Sequence, residues 1–336
     1  MATKRKKSKI RFDRLFFLIL MIALILFGCY KLIDKKPVDD GDNNPDAGEV
    51  VDDISAKLAS YTEYNAEKLD DYINFYDANQ DIELENIIKL VNKDIDKLED
   101  FTYDDIIIKL IDEKYYITNN TNRYIEYFHK NESLTASEVI TNVNSNIDYE
   151  FYTHTTSVDL SKGILILVNK YNKLDSNYVP EDLVYIADGG RMVKEAYEAF
   201  KKMVDAAKED NIRLWSVSPY RDYDLQDWLY ENYASRDGYA EADTYSARPG
   251  FSEHQTGLAV DINSTDDSFA YTKEAKWLAE NSYKYGFILR YPKGKEYLTG
   301  YQYEPWHYRY VGEEVSKDIY EKDITFEEYY AYYIDK

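Results

Sequence analysis

The stretch PGFSEHQTGLAVDI, residues 249–262, decides how the rest of the chain is read. It places His254, one of only four histidines, seven residues ahead of Asp261. The run from Leu258 to Ile262 alternates with a period of two and reads as a strand. An aspartate buried in such a run is strongly unfavourable unless something compensates its charge. Either a structural partner or a cation must do so.

About fifty residues further on, YQYEPWHYRYVG (301–312) supplies His307 and, three residues before it, Glu304. Two histidines and an aspartate form an ordinary ligand set for a catalytic zinc, which keeps three protein ligands and one open position. A carboxylate such as Glu304 beside that position can take a proton from water and deliver it to a leaving amine. Spacing by itself leaves alternatives open, because the chain carries 63 acidic residues. The same residues could be satisfied core histidines or part of a salt-bridged surface.

The wording of the motifs narrows the choice. SEHQTGLAVDI and EPWHYRYVG together with SPYRDYDLQ (218–226) closely resemble the VanY-type zinc D-alanyl-D-alanine carboxypeptidases. The segment LVNKYNKLDSNYVPEDLVYI (167–186) resembles that family's entry into its catalytic domain. The likeness covers about 160–336. It implies His254, Asp261 and His307 as zinc ligands and Glu304 as general base and then acid. It implies Arg221 as the catalytic arginine that steadies substrate and oxyanion, with Ser252 and Gln226 helping to hold the peptide. Pro219 stands where the family often has Gly or Ala. The EPWH wording points to the carboxypeptidase branch, whose substrate is a peptidoglycan stem peptide ending in D-Ala-D-Ala. Rival readings are a D-Ala-D-Ala dipeptidase or wall endopeptidase with the same metal site, or a non-catalytic wall-binding surface protein. Trp306 and Tyr308 read as core or pocket wall, Arg248 as a loop arginine near the pocket mouth, and His129 and His154 as structural or exposed.

The rest of the chain bounds these readings. Residues 1–14 hold seven Lys or Arg and one Asp, whereas the whole chain has a formal net charge of −22. So acidic a body repels phosphate backbones and argues against nucleic acid. The uncharged run LFFLILMIALILFGCY (15–30), extended to residue 33, reads as a transmembrane signal anchor with the basic segment cytoplasmic and the body extracytoplasmic. The rival readings are a cleaved signal and a lipoprotein joined through Cys29 in LFGC. Cys29 is the only cysteine, so the body has neither a disulfide nor a cysteine nucleophile. Residues 34–50 read as an acidic linker and 51–159 as a helical N-terminal region of amphipathic segments, ahead of a catalytic domain at 160–336.

Within that domain, 163–174 reads as a strand-like run and 191–210 as an amphipathic helix carrying Met192, Ala196, Phe200, Met203 and Ala207. A strand is expected near 211–221, a helix capped by Asp222 or Asp224, a helix closed by Gly286, and a last helix with a Thr325–Glu328 capping box. The expected class is α+β: a small mixed or antiparallel sheet flanked by helices and carrying the zinc site, preceded by a helical region and one transmembrane helix.

Overall fold

A computed structural model describes residues 53–335. The chain divides into two compact units, residues 1–69 and 70–336. In the first, the described residues form a short helix at 53–58 and a turn of 3-10 helix at Ala66–Lys68.

The second unit opens with five helices: α1 (Leu69–Ala78), α2 (Leu84–Asn92), α3 (Ile106–Leu110), α4 (Thr121–Lys130) and α5 (Ala136–Asn144). Helix α2 buries Ile87, Ile88, Leu90 and Val91 along one stripe, and α5 starts at a Thr135–Glu138 capping box. These helices meet the C-terminal end of the chain, where Tyr115 stacks on Tyr332 at 3.7 Å and Thr141 hydrogen-bonds its hydroxyl.

Two minor strand pairs follow, β1 (Thr156–Ser157) with β2 (Asn172–Lys173) and β3 (Leu183–Tyr185) with β4 (Arg191–Val193). The expected strand over 163–174 is corrected. Its first three residues close a 3-10 helix, Leu160–Leu165, residues 166–168 are loop, and only Asn172 and Lys173 pair as a strand. Gly163, at φ +58°, starts the run in a left-handed conformation that a strand does not use.

The main sheet holds β5 (Ser216–Ser218), β6 (Ala259–Ile262), β7 (Phe287–Leu289) and β8 (His307–Tyr310), in the antiparallel order β5-β6-β8-β7. Alternation along β6 and β8 sorts the two faces. Leu258, Val260, Ile262, Tyr308 and Tyr310 enter the core with α6 (Lys194–Glu209), which contributes Ala196, Phe200, Met203 and Ala207. Met192, expected on that helix, lies on β4 instead and is buried in the same core.

Beyond β5, Asp222 caps α7 (Tyr223–Asp237) through its bond from the Leu225 N–H, and α8 (Tyr239–Tyr245) follows. Helix α9 (Lys273–Asn281) packs Ala275, Trp277 and Leu278 into the core. A left-handed Gly286 ends the 3-10 turn after it, where a Cβ would lie 2.6 Å from the Tyr310 ring. The chain closes with α10 (Glu296–Thr299), α11 (Glu313–Lys322) and α12 (Phe326–Tyr329), the last carrying the expected Thr325–Glu328 box.

The α+β class and the antiparallel sheet hold, but one part of the expected architecture is corrected. Among the described residues no helix is long and apolar enough to cross a membrane. The longest of them, α6, has 16 residues and a charged outer face, short of the ~20 apolar residues a span needs. The expected span at 15–33, Cys29 and the segments 1–14 and 34–50 lie outside the described residues. The described residues are therefore α+β, with no helix among them long and apolar enough to cross a membrane. The single-pass membrane placement, and the membrane as a partner, are not carried forward.

Candidate active site

The face of β6 and β8 opposite the core carries the polar residues. Asp261 on β6 stands directly across from His307 on β8. Ile262 donates to the Trp306 carbonyl and Tyr310 to the Leu258 carbonyl, so the Asp261–His307 pair lies between ladder bonds, where facing side chains come closest.

His254 joins them from a 3-10 turn, Glu253–Thr256, that leads into β6. The turn ends on Gly257 at φ +66°, where a Cβ would meet the Leu183 side chain at 2.8 Å. Only glycine turns the chain there without strain. The His254 Nδ1 donates to the Pro219 carbonyl at 2.8 Å, which leaves Nε2 as the free acceptor. That Nε2 lies 3.4 Å from Asp261 Oδ2, and His307 Nδ1 lies 3.2 Å from Asp261 Oδ1. One donor atom from each of the three lies within 4.8 Å of the others, and all three residues are buried.

A metal fits this set. Asp261 Oδ1 is buried without a hydrogen-bond partner, and two imidazole nitrogens converge on the same carboxylate. Two nitrogens and one oxygen on a wall of an open cleft match a three-ligand catalytic site.

Glu304 sits in the turn before β8, its Oε2 3.5 Å from His307 Nδ1. Burial pushes its carboxyl up to about 8, with Asp261 adding to the rise and His307 opposing it. Burial would lower His307, but Asp261 and Glu253 outweigh it and raise the ring to about 9. His254 is lowered, chiefly by burial. Asp261 is held below the usual carboxylate range: burial opposes ionisation, and the two histidines outweigh it.

All seven predicted site residues line one cleft of about 610 Å³: Arg221, Gln226, Ser252, His254, Asp261, Glu304 and His307. Arg221 lies in the loop between β5 and α7, its backbone N–H bonded to the His254 carbonyl. Its Nε is buried without a partner. Gln226, in the first turn of α7, donates to the Ala247 carbonyl at 2.7 Å and leaves its Oε1 unpaired. Ser252 immediately precedes the histidine turn, and Trp306 also lines the cleft, whereas Tyr308 points to the core. Arg248 is not at the cleft; it pairs with Asp243 at 2.7 Å and stacks on Tyr152. His129 pairs with Asp104, and His154 stacks on Tyr149, both far along the chain from the site.

One buried acid at the site escaped the sequence reading. Glu253 is fully buried, its Oε1 bound by Arg290 Nε and Arg309 Nη1, each at 2.8 Å. Arg290 also clasps Glu327 of α12 at 2.6 and 2.9 Å. Burial would raise the Glu253 carboxyl, but the two guanidiniums bring it far below the usual range. The only sequence signals are arginines within the strand-like FILRY and HYRY runs, charged where neighbours are apolar.

Comparison with known proteins adds four likenesses. The family model described as VanY, D-alanyl-D-alanine carboxypeptidase, matches residues 189–313. The chain is 40% identical over 180 residues to a D-alanyl-D-alanine carboxypeptidase of Enterococcus faecalis (strain ATCC 700802 / V583), covering 51% of this chain and 67% of that one. It is 37% identical over 180 residues to the bifunctional D-Ala-D-Ala dipeptidase and D-Ala-D-Ala carboxypeptidase VanXYC of Enterococcus gallinarum, covering 50% of this chain and 94% of that one. Among solved structures, the LdcB LD-carboxypeptidase matches with a TM-score of 0.50 and 42% identity, over 54% of this chain and 91% of that one.

Proposed function

Because the chain belongs to the VanY family of D-alanyl-D-alanine carboxypeptidases, we propose that it uses a zinc site to hydrolyse the terminal D-Ala from peptidoglycan stem peptides ending in D-Ala-D-Ala. The observation that carries the reading is the meeting of His254, Asp261 and His307 on the wall of one cleft, with Glu304 beside them.

His254 through Nε2, Asp261 through its carboxylate and His307 through Nδ1 would hold the ion. Once bound, zinc supplies polarisation of the scissile carbonyl and a lowered pKa for water. Glu304 accepts the proton of the attacking water and returns it to the amine of the departing D-Ala. Its buried setting keeps the carboxyl near the pKa that such a two-way transfer needs. Arg221, with an unpaired Nε in the cleft, donates to the negative charge that develops on the substrate. Gln226 Oε1 is free to accept a peptide N–H, and the Ser252 hydroxyl lies on the same wall. No covalent intermediate is required.

The test is product analysis with the full chain acting on a stem pentapeptide. Free D-Ala that disappears with a chelator and returns with added zinc supports the reading. Hydrolysis of free D-Ala-D-Ala in place of the pentapeptide would make the enzyme a dipeptidase, an activity named for its E. gallinarum relative. Cleavage of a tetrapeptide but not the pentapeptide would align it with the LD-carboxypeptidase. Absence of both metal and product would leave a wall-binding protein.

A further inference from the structure

We propose that Glu253 is a positioning residue for the metal site, holding the His307 ring by its Nε2–H so that Nδ1 is the nitrogen presented to the metal. The inference rests on the reading of His254, Asp261 and His307 as metal ligands.

Three observations carry it. The Glu253 carboxylate is itself fixed: Oε1 is shared by Arg290 and Arg309, and both arginines are fully buried. Its second oxygen, Oε2, is buried and has no hydrogen-bond partner. His307 Nε2 is likewise buried and unpartnered, and it lies 3.6 Å from that oxygen. This separation is too long for a formed hydrogen bond. Closing it by about half an ångström pairs two atoms that are otherwise orphans, and buried orphans are rare in native proteins.

The opposite edge of the ring confirms the direction. His307 Nδ1 faces Asp261 Oδ1 at 3.2 Å and Glu304 Oε2 at 3.5 Å, the acidic side of the cleft. The imidazole therefore stands between two carboxylate groups with different duties. Asp261 and Glu304 lie on the Nδ1 side of the ring, whereas the buried Glu253 carboxylate lies on its Nε2 side and is tied into the guanidinium pair. His254 is oriented by other means, a backbone carbonyl on its Nδ1, so it presents Nε2. The two histidines thus offer opposite ring nitrogens, each because the remaining nitrogen has its own fixed acceptor.

The pair of arginines has a part in this. Their guanidiniums hold Oε1 of the Glu253 carboxylate and leave Oε2 turned toward the ring as an acceptor. Arg309 is anchored further by the Ile164 and Ile166 carbonyls at 2.9 and 2.8 Å, so the support is rigid.

The test uses zinc-loaded full chain labelled with nitrogen-15 and long-range proton–nitrogen correlation of the imidazoles. The expected spectrum has His307 protonated at Nε2 and metal-bound at Nδ1, and His254 the reverse. The second measurement is the zinc dissociation constant of Glu253→Gln, by competition with a chromogenic chelator. It should rise about 10–100-fold, the usual effect of removing such an outer partner, while the metal-free variant keeps the wild-type circular dichroism. An unchanged constant in the folded variant, or wild-type His307 bound through Nε2, overturns the proposal. If Glu253→Gln does not fold, the wild-type spectrum decides alone. A wild-type chain that binds zinc and releases D-Ala but fails these measurements sinks only the role of Glu253. A wild-type chain that binds no zinc sinks the metal-site reading with it.

Discussion

Replacing Glu327 by alanine should destabilise the protein by about 3–5 kcal/mol, the range for breaking a buried ion pair from one side. The magnitude follows from the contacts. Glu327, 2% exposed, receives two bonds from Arg290 at 2.6 and 2.9 Å and a weaker one from Asn169 at 3.3 Å. Each charge-assisted bond contributes roughly 1.5–3 kcal/mol. Arg290, Arg309, Glu253 and Glu327 together are neutral, and the alanine leaves one buried positive charge uncompensated. With roughly 2–4 °C per kcal/mol for a domain of this size, calorimetry should find the melting temperature lower by about 6–20 °C. The double variant Arg290→Met/Glu327→Leu removes both charges, keeps the Glu253–Arg309 pair, and should recover most of the loss. A loss below about 1 kcal/mol in Glu327→Ala would refute the account of the C-terminal helix as a charge clamp on the site.

Glu304→Ala should retain zinc, measured by metal analysis, and lose about 10²–10⁴-fold in kcat, the usual size of a general acid–base contribution; undiminished turnover removes Glu304 from the mechanism. His254→Ala should lose the metal, and full occupancy in that variant would rule it out as a ligand. Zinc binding at pH 7 should release a proton, because metal-free His307, raised to about 9, is protonated there. Ligands must shed their protons to bind, so affinity should fall as pH is lowered from about 9. Calorimetry in two buffers of different ionisation enthalpy reads the release, and a buffer-independent enthalpy would contradict it.

The sheet face and the ligand set were legible because they obey local rules. The alternation in LAVDI sends Leu258, Val260 and Ile262 inward and leaves Asp261 on the other side, and the spaced His307 arrives on the neighbouring strand. The helix over 194–209, the Asp222 cap and the Thr325 box were readable for the same reason: each is decided by residues within a turn or two. Met192 was misplaced because its four-residue step to Ala196 continues the helix face, although it lies on the adjoining strand. The run at 163–174 misled because its apolar side chains, Ile166 and Val168 among them, are buried in loops and not in a ladder. Glu253 was hidden because its significance depends on Arg290 and Arg309, 37 and 56 residues away. No local pattern distinguishes it from the other acids.

The pairing of Asp261 opposite His307 makes their separation independent of the chain that joins them. Residues 263–306 build α9, the neighbouring strand β7 and α10 before the chain returns as β8, but the Asp261–His307 gap is set by the β6–β8 ladder. Parts of that excursion that carry neither β7, Arg290 nor Glu304 can therefore lengthen or shorten without disturbing the ligand gap. The exposed turn at Lys293–Gly294, with open space around Gly294, is a natural place for an insertion. A search for relatives that fixes the residue count between the two motifs would discard proteins whose metal sites are identical. A graft of this site onto another scaffold needs the two strands in the correct alignment together with the His254 turn, Glu304 and the Arg290 and Arg309 guanidiniums that hold Glu253.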